Sequence, residues 1–512
     1  MSRRTALVAS AVLSGALQAL LPRLPGQLAL AFVVMVPLFV ALDRASTRET
    51  IAVAIAYALA LGEIAILPWL GPSLGPYFGL TGTRSQLLAA AVVALLAVLH
   101  GGALGVALAL RPRRAHALLV LWYAALWACW EALRSYVPPQ FPAAALGVSL
   151  ERSLPLLQVA SATGVAGVTA VVVAANAGIA ALVARDAPRG ARWRAFAAGA
   201  GVAVVATAWG AVRLAATTAS VPAAARIVAV DLVAPDAAAS TLDVLIEATS
   251  AATARGARPD VVLWPESALN LDLARDRVAW ARIGELVERA GATLVTGGVS
   301  FELDARGRPR RFNSLHVVRP GFGMQSYHKR LLVPLAESWP SFLGAPPASL
   351  EPVTAGSALP VLDAGETRFG PLICFEIADA ASARALARDG ASFLVNVTND
   401  VWFQGTEAPH LRWARIRAIE SGLPVVRVAN AGTSVVFDPL GRAVVSSEPA
   451  ARGEGVLTGT VPPAIETVYV ATGEVFLPAC ATVVVLGVAA SVVVVLRRRR
   501  ALVAEAVVGD RT

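Results

Sequence analysis

Gly370-Pro371-Leu372-Ile373-Cys374-Phe375-Glu376 decides what kind of chain this is. A short apolar run ends in a thiol, with a carboxylate two residues on. Cys374 is one of three cysteines. The other two, Cys129 and Cys480, lie inside long apolar runs, so Cys374 is the only thiol in the polar part of the chain. A second singleton stands upstream: Lys329 is the only lysine among 44 basic residues. Lysine presents a compact ammonium and can lose its charge when buried, and arginine does neither. A chain that uses arginine elsewhere and keeps one lysine marks a position where a guanidinium will not serve.

The surroundings of this stretch are unusually apolar. Over 512 residues, 56% are hydrophobic and 15% charged, and the mean hydropathy is +0.63. A net charge of +9 raises the question of nucleic acid. The arginines, however, cluster at the ends of apolar runs, as membrane topology requires, so no nucleic-acid partner is expected. Three cysteines, two of them in apolar runs, give neither a disulfide framework nor a metal spacing, and five scattered histidines add none. No metal or other cofactor is expected.

Spans need about 20 mostly apolar residues. Residues 1–216 read as a seven-helix membrane domain, with candidates Thr5–Leu21, Gln27–Leu42, Thr50–Leu70, Gln86–Leu110, Ala117–Leu133, Val159–Ala184 and Ala195–Ala215. An eighth, Val475–Leu496, lies in a C-terminal span assigned to residues 474–497, and residues 498–512 form a tail. A cleaved signal peptide is the rival for the first run, but a second span follows at once. Arg3 and Arg4, Arg44 and Arg48, Arg111 to Arg114, Arg185 to Arg194 and Arg497 to Arg500 fall in alternate gaps. By the positive-inside rule both termini are cytoplasmic and residues 222–463 lie outside.

That outer segment alternates short β-type runs with amphipathic helices. Strands are expected at Arg226–Asp231, Asp260–Trp264, Ala292–Gly297, Ser314–Arg319, Thr367–Cys374, Ser392–Asn396, Val425–Ala429 and Ser434–Asp438. Helices are expected at Thr241–Arg255, Asp276–Ala290, Ala378–Arg388 and Pro409–Gly422. Near-continuous apolar strands suit a sheet covered on both faces, hence an α/β domain. Pro334–Pro352 reads as a long loop of the kind that forms lids.

Three places carry chemistry. Glu266 in Trp264-Pro265-Glu266-Ser267 follows a strand that Pro265 ends, where α/β folds place active sites; a solvated loop carboxylate is the plain alternative. Lys329 leaves a strand before an apolar run, and Glu337 is positioned to pair with it or with Arg330. Cys374 ends a strand ahead of a polar helical stretch. An inert buried cysteine is the commoner fate, but a helix N-terminus and a nearby ammonium both lower a thiol pKa. Glu376 falls in the first turn of that helix, where the dipole favours a carboxylate. Thiol, carboxylate and amine together suit acyl transfer: the carboxylate takes the thiol proton, the thiolate attacks a carbonyl or nitrile, and the ammonium stabilises the oxyanion.

In order and local context these motifs resemble the Glu-Lys-Cys arrangement of the nitrilase superfamily. The whole chain resembles its membrane-embedded branch, the apolipoprotein N-acyltransferases. Gly147 through Asn176 carries part of the likeness, as do Leu394-Val395-Asn396-Val397-Thr398-Asn399-Asp400-Val401-Trp402-Phe403, Pro409-His410, Ala414 through Glu420 and Asp438-Pro439-Leu440-Gly441. The resemblance implies an αββα sandwich facing the periplasm, mounted on membrane helices in the bacterial inner membrane. It implies Glu266 as general base, Lys329 as the oxyanion-stabilising amine and Cys374 as nucleophile, with Glu337, Glu376 and Asn313 in support. It further implies two steps: an acyl chain passes from a phospholipid to Cys374 as a thioester, then to the α-amine of an apolipoprotein's N-terminal diacylglyceryl-cysteine. The chain departs from the family pattern at residues 227–235, at Ala336 before the lid Glu337, at Phe375 beside the thiol, and at Ala431 in Asn430-Ala431-Gly432. Phe375 and Asn430, with Trp339 and Phe342 on the loop, are therefore the expected substrate-binding and lid residues.

Two other readings compete: a tethered amidohydrolase acting on a soluble amide or nitrile, and a transporter or scaffold whose outer domain only binds. Few charges interrupt the apolar runs (Glu63, His100 and Glu131), which argues against transport. Aromatic side chains on the loop favour an acyl chain over a soluble substrate. The partners expected are the bilayer, its phospholipid donor and the apolipoprotein; the spans and loop call for no partner subunit, and a monomer is expected.

Overall fold

The structure, a computed structural model, describes the chain except residues 1, 113–115, 137–143, 185–186, 218–222, 234–240, 322, 340–343, 348–349, 351–352, 404–408, 448–452 and 510–512. Among the described residues, Arg3–Arg23, Gln27–Arg44, Gly82–Ala109, Arg189–Ala216 and Phe476–Val494 are long and apolar enough to cross a membrane. The expected spans are less regular than their hydropathy. Thr50–Leu70 is bent: Thr47–Ala65 and Leu67–Phe78 meet at 62°. Pro68 opens the second piece and Pro72 lies inside it, and proline removes a helical N–H and crowds the preceding turn. Val159–Ala184 divides at Gly164, whose φ of +68° separates Leu154–Thr163 from Val165–Ala181. Val165–Ala181 is buried almost all round, as a central post should be. The expected span Ala117–Leu133 is the helix His116–Tyr136.

Gln27–Leu42 is interrupted between Ala31 and Val36. Backbone groups freed at membrane depth must find partners. Asn176 supplies them from the central post: its Nδ2 donates to Ala31 O at 2.7 Å and its Oδ1 accepts from Met35 N at 2.8 Å. Glu131, an open question in the sequence, is a packing residue: it accepts from Leu146 N and the Thr169 hydroxyl, both at 2.6 Å.

The outer segment contains β1 (Ala225–Val233), β2 (Val261–Leu263), β3 (Thr293–Leu303), β4 (Pro309–Arg319), β5 (Gly323–His328), β6 (Leu362–Ala364), β7 (Thr367–Ile373), β8 (Phe393–Asn399), β9 (Val425–Asn430), β10 (Val435–Phe437), β11 (Ala443–Ser446) and β12 (Gly453–Val461). β6, β11 and β12 were not expected, and β5 was expected only as the strand that Lys329 leaves, without bounds. β5 and β11 carry little apolar patterning, because only Tyr327 of β5 and no residue of β11 is buried. The strands run β5-β4-β3-β2-β1-β9-β8-β7-β6, with the core pairs β1–β2, β2–β3, β7–β8 and β8–β9 parallel.

The joint between β1 and β9 is a single pair, Leu232 with Asn430. There the sheet folds onto itself. Ile227, Leu263, Val295 and Leu315 from one half share a core with Phe369, Phe393, Val395 and Val426 from the other. Side chains alternate faces along a strand, so Val228, Val262 and Leu294 point the opposite way. They pack on the helices Thr241–Ala254 and Arg277–Ala290 through Leu245, Ile283 and Leu286. In the other half Leu372, Leu394 and Val425 pack on Ala380–Arg388 and Pro409–Ser421. The layers are therefore αββα.

The second helical layer shares its core with the membrane bundle, where Trp413 and Ile416 join the cluster of Leu156, Leu157 and Ala160. Polar contacts pin the junction. Glu420 accepts from Val165 N at 2.6 Å, Arg412 meets Glu151 at 3.1 Å and Gln158 donates to Leu440 O at 3.0 Å.

Asn176→Leu should orphan the Ala31 and Met35 backbone groups at about 1–3 kcal/mol each, and thermal unfolding in detergent should show a clear drop in midpoint. An unchanged midpoint would mean that the interruption is satisfied in another way.

Candidate active site

β7 delivers Cys374 to the end of its strand, and the chain then turns into a short 3-10 helix, Cys374–Ala378. Cys374 sits at φ +52°, a left-handed conformation uncommon for a side-chain-bearing residue. The Glu376 carboxylate holds this turn. It accepts from Ile373 N at 2.8 Å on one side, and from the Tyr327 hydroxyl and Arg330 N at 2.7 Å and Leu331 N at 3.1 Å on the other. Burial pushes Glu376 above the usual carboxylate range, against the pull of those donors. Glu376 lies in the first turn of that short helix and is also a buried brace between the thiol turn and the chain beyond Lys329.

Lys329 follows β5 and is 1% exposed. Its Nζ lies 2.8 Å from Glu337 and 3.3 Å from Glu266. Burial alone would strip the proton, but the Glu337 and Glu266 charges outweigh it and hold the amine well above its ordinary value. It is a permanent ammonium. Asn313 on β4 donates to Glu266 at 2.8 Å and to Glu337 at 3.0 Å. Glu337 also accepts from Val333 N at 2.8 Å. Burial pushes Glu337 up, yet Lys329 and these donors keep it below the ordinary value.

Glu266 sits just past β2. Its backbone passes so close to Gly297 that a Cβ there would come within 2.6 Å of the Glu266 Cα. Asn430 donates to Glu266 O at 2.7 Å. Asn430 therefore positions the carboxylate's backbone.

The thiol does not follow the expected lowering. Burial pushes the Cys374 pKa well up, the Glu266 charge pushes it further, and Lys329 opposes both without prevailing. His410, which the sequence offered without a role, brings its Nδ1 to 3.8 Å from Sγ. Burial pushes His410 down to about 3, so the imidazole is neutral. Phe403 meets it edge-on at 5.2 Å.

Glu266, Asn313, Lys329, Glu337, Cys374, Phe375 and His410 all line one cavity of about 520 Å³. Its remaining walls include Trp69, Leu70, Leu74, Val92 and Leu96, which belong to the membrane helices. Trp339 leans on Phe78 of the bent helix, ring centres 5.9 Å apart. Phe342 lies outside the described residues. Neither His410 nor the wall residues were singled out from sequence. A proline-histidine pair opening a helix, in a chain with five histidines, was the available signal for the first.

The sequence pattern of the carbon-nitrogen hydrolase family matches residues 218–468, and that of the apolipoprotein N-acyltransferase N-terminal domain matches residues 14–178. An apolipoprotein N-acyltransferase of Bradyrhizobium diazoefficiens is 36% identical over 404 residues, 73% of each chain. The chain belongs to the apolipoprotein N-acyltransferase family. A second member, from Rhodopseudomonas palustris, is 33% identical over 78% of each chain, and one from Geobacter metallireducens is 29% identical over 92% of each. The membrane helices and the α/β domain are thus the two parts of one acyltransferase.

Alkylation of Cys374 by a small uncharged reagent, followed peptide by peptide, should be slow at neutral pH and rise only in the alkaline range. Glu266→Gln removes a negative charge that disfavours the thiolate, so the rise should begin at lower pH. Rapid alkylation of the wild type at neutral pH, or an upward shift in the variant, would contradict this electrostatic account.

Proposed function

We propose that this enzyme N-acylates the N-terminal diacylglyceryl-cysteine of apolipoproteins, taking the acyl chain from a phospholipid through a thioester on Cys374. The observation that carries this reading is the shared cavity: the thiol, the ammonium and two carboxylates open onto walls built from membrane helices. A soluble amide or nitrile needs no such walls. A phospholipid and a lipid-anchored acceptor do, because drawing either out of the bilayer costs about 0.8 kcal/mol per CH₂.

In the first step Glu266 takes the thiol proton and the sulfur attacks the ester carbonyl of the donor. The carbonyl oxygen gains the charge and Lys329 Nζ, fixed between Glu337 and Glu266, stabilises it. Collapse expels the lysophospholipid alkoxide, which takes the proton from Glu266, and the acyl group remains on sulfur. In the second step the acceptor α-amine attacks the thioester while Glu266 removes its proton. The second intermediate collapses to the amide, and the released thiolate recovers a proton from Glu266. No net oxidation or reduction occurs. Glu337 and Asn313 hold Lys329 and Glu266 in register, and Glu376 fixes the Cys374 turn. Phe375, which lines the cavity, and Trp339, which leans on Phe78, are positioned to meet the acyl chain or the bilayer.

The arginine pattern supports a membrane orientation with residues 222–463 in the periplasm and both termini in the cytoplasm. Residues 1–216 and 474–497 anchor the enzyme as a monomer, and residues 498–512 form the cytoplasmic tail.

With radiolabelled phospholipid and no acceptor, the wild type should trap a hydroxylamine-sensitive acyl label that Cys374→Ala lacks. Continued acylation of a lipopeptide amine by Cys374→Ala would overturn the mechanism. Lys329→Arg keeps the charge but not the geometry, and kcat should fall by about 10²-fold or more, the scale of losing one oxyanion donor. Near-normal turnover would mean that the lone lysine reflects codon usage.

A further inference from the structure

Farther along the same groove in the membrane bundle lies a second void, of about 30 Å³. Val92 lines the reaction cavity, His100 lines the void, and Leu96 lines both. Val92 and Leu96 stand four residues apart on one face of the helix, and His100 follows in the π-helical turn Ala97–Gly101. The facing helix shows the same succession. Trp69 and Leu70, past the bend, border the cavity, and Ile66, at the bend, borders the void. The two spaces therefore adjoin at Leu96, the one residue that lines both.

The void is narrow beyond Leu96. Gly62 approaches Val93 so nearly that a Cβ would come within 2.7 Å of Val93 Cγ1. At the floor the Arg134 guanidinium lies 4.6 Å over the Trp130 ring, and Trp130 Nε1 donates to His100 O at 2.9 Å. A hydrocarbon end fits the apolar part and stops short of that charged floor, because burying a charge against hydrocarbon is costly.

We propose that Leu96 is the stop that sets the length of the acyl chain this enzyme transfers. This rests on the reading that the reaction cavity holds the donor's acyl chain. Truncating Leu96 to alanine removes three carbons and joins the void to the cavity, opening room for about two to four further methylenes. A bulkier side chain there raises the floor.

The test uses the full-length enzyme in phospholipid micelles offering one headgroup with a graded series of acyl lengths, and a diacylglyceryl-cysteine peptide as acceptor. Mass spectrometry reads the chain carried by Cys374 and by the product amide. Leu96→Ala should move the preferred length up by about two to four carbons, and Leu96→Phe should move it down. A labelled wild type with identical length profiles in both variants overturns the proposal for Leu96 alone. Absence of any acyl label on wild-type Cys374 overturns the acyl-transfer reading and this proposal with it. If Leu96→Ala fails to fold, Leu96→Phe decides: a shorter optimum supports the stop and an unchanged one overturns it.

Discussion

An ammonium buried to 1% exposure is the constraint on which the site depends. A buried charge is tolerated only when paired and hydrogen-bonded, and removing one partner typically costs about 3–5 kcal/mol. Lys329 has two carboxylate partners, Glu337 and Glu266. Two acids and one base leave an excess negative charge, and the Asn313 amide and the Val333 N–H offset it by donating to those acids. The end of β2, the middle of β4, the end of β5 and the start of the Pro334–Pro352 loop must therefore converge on one point. The same pairing fixes the proton inventory. An amine held well above its ordinary value is a poor base, and the proposed scheme accordingly gives proton transfer to Glu266 and the fixed positive charge to Lys329.

Glu376 extends that constraint across the sandwich. β5 and β7 belong to opposite halves of the folded sheet, so the ammonium and the thiol arrive from opposite sides of the core. One carboxylate ties Ile373 N, just before the thiol, to Arg330 N and Leu331 N, just after the amine. The strained Cys374 backbone, of a kind that costs about 1–3 kcal/mol, is sustained by this brace. Placing the brace between the two sheet halves makes the separation of sulfur and ammonium a property of the whole sandwich.

What was legible in the sequence followed physical uniformity. Strands covered on both faces, such as those beginning near Asp260 and Ser392, are continuous apolar runs and could be read. Lys329 stood out because no other lysine competes with it. The bounds of β5 were illegible because its only buried residue is Tyr327. The membrane walls of the cavity were illegible for the opposite reason: Val92 and Leu96, which line it, are as apolar as Leu87 and Leu95, which are exposed on the same helix. The bend at Ile66 lay within an apolar run that hydropathy treats as one span, although Pro68 and Pro72 marked it. The thiol shift was expected with the wrong sign. A helix N-terminus and an ammonium were readable near Cys374, whereas the depth of burial and the approach of Glu266 exist only once β2 and β7 share a core.

That sign has a consequence for a lipid enzyme. A thiol pushed up by burial rests protonated, with neutral His410 beside it, and is a poor nucleophile toward stray electrophiles. In the proposed scheme it becomes a thiolate only when its proton passes to Glu266 as a carbonyl arrives beside Lys329. In that scheme the apolar walls around the thiol also favour acyl chains over water, which would slow hydrolysis of the proposed thioester. Such protection would matter for the proposed acceptor, a membrane-anchored lipopeptide that would reach the site by lateral diffusion. A related thiol enzyme that hydrolyses amides needs water to finish its cycle. In the proposed scheme the membrane-facing cavity disfavours water and leaves the acceptor amine as the nucleophile, so one set of apolar side chains would serve substrate capture, thiol protection and choice of acceptor.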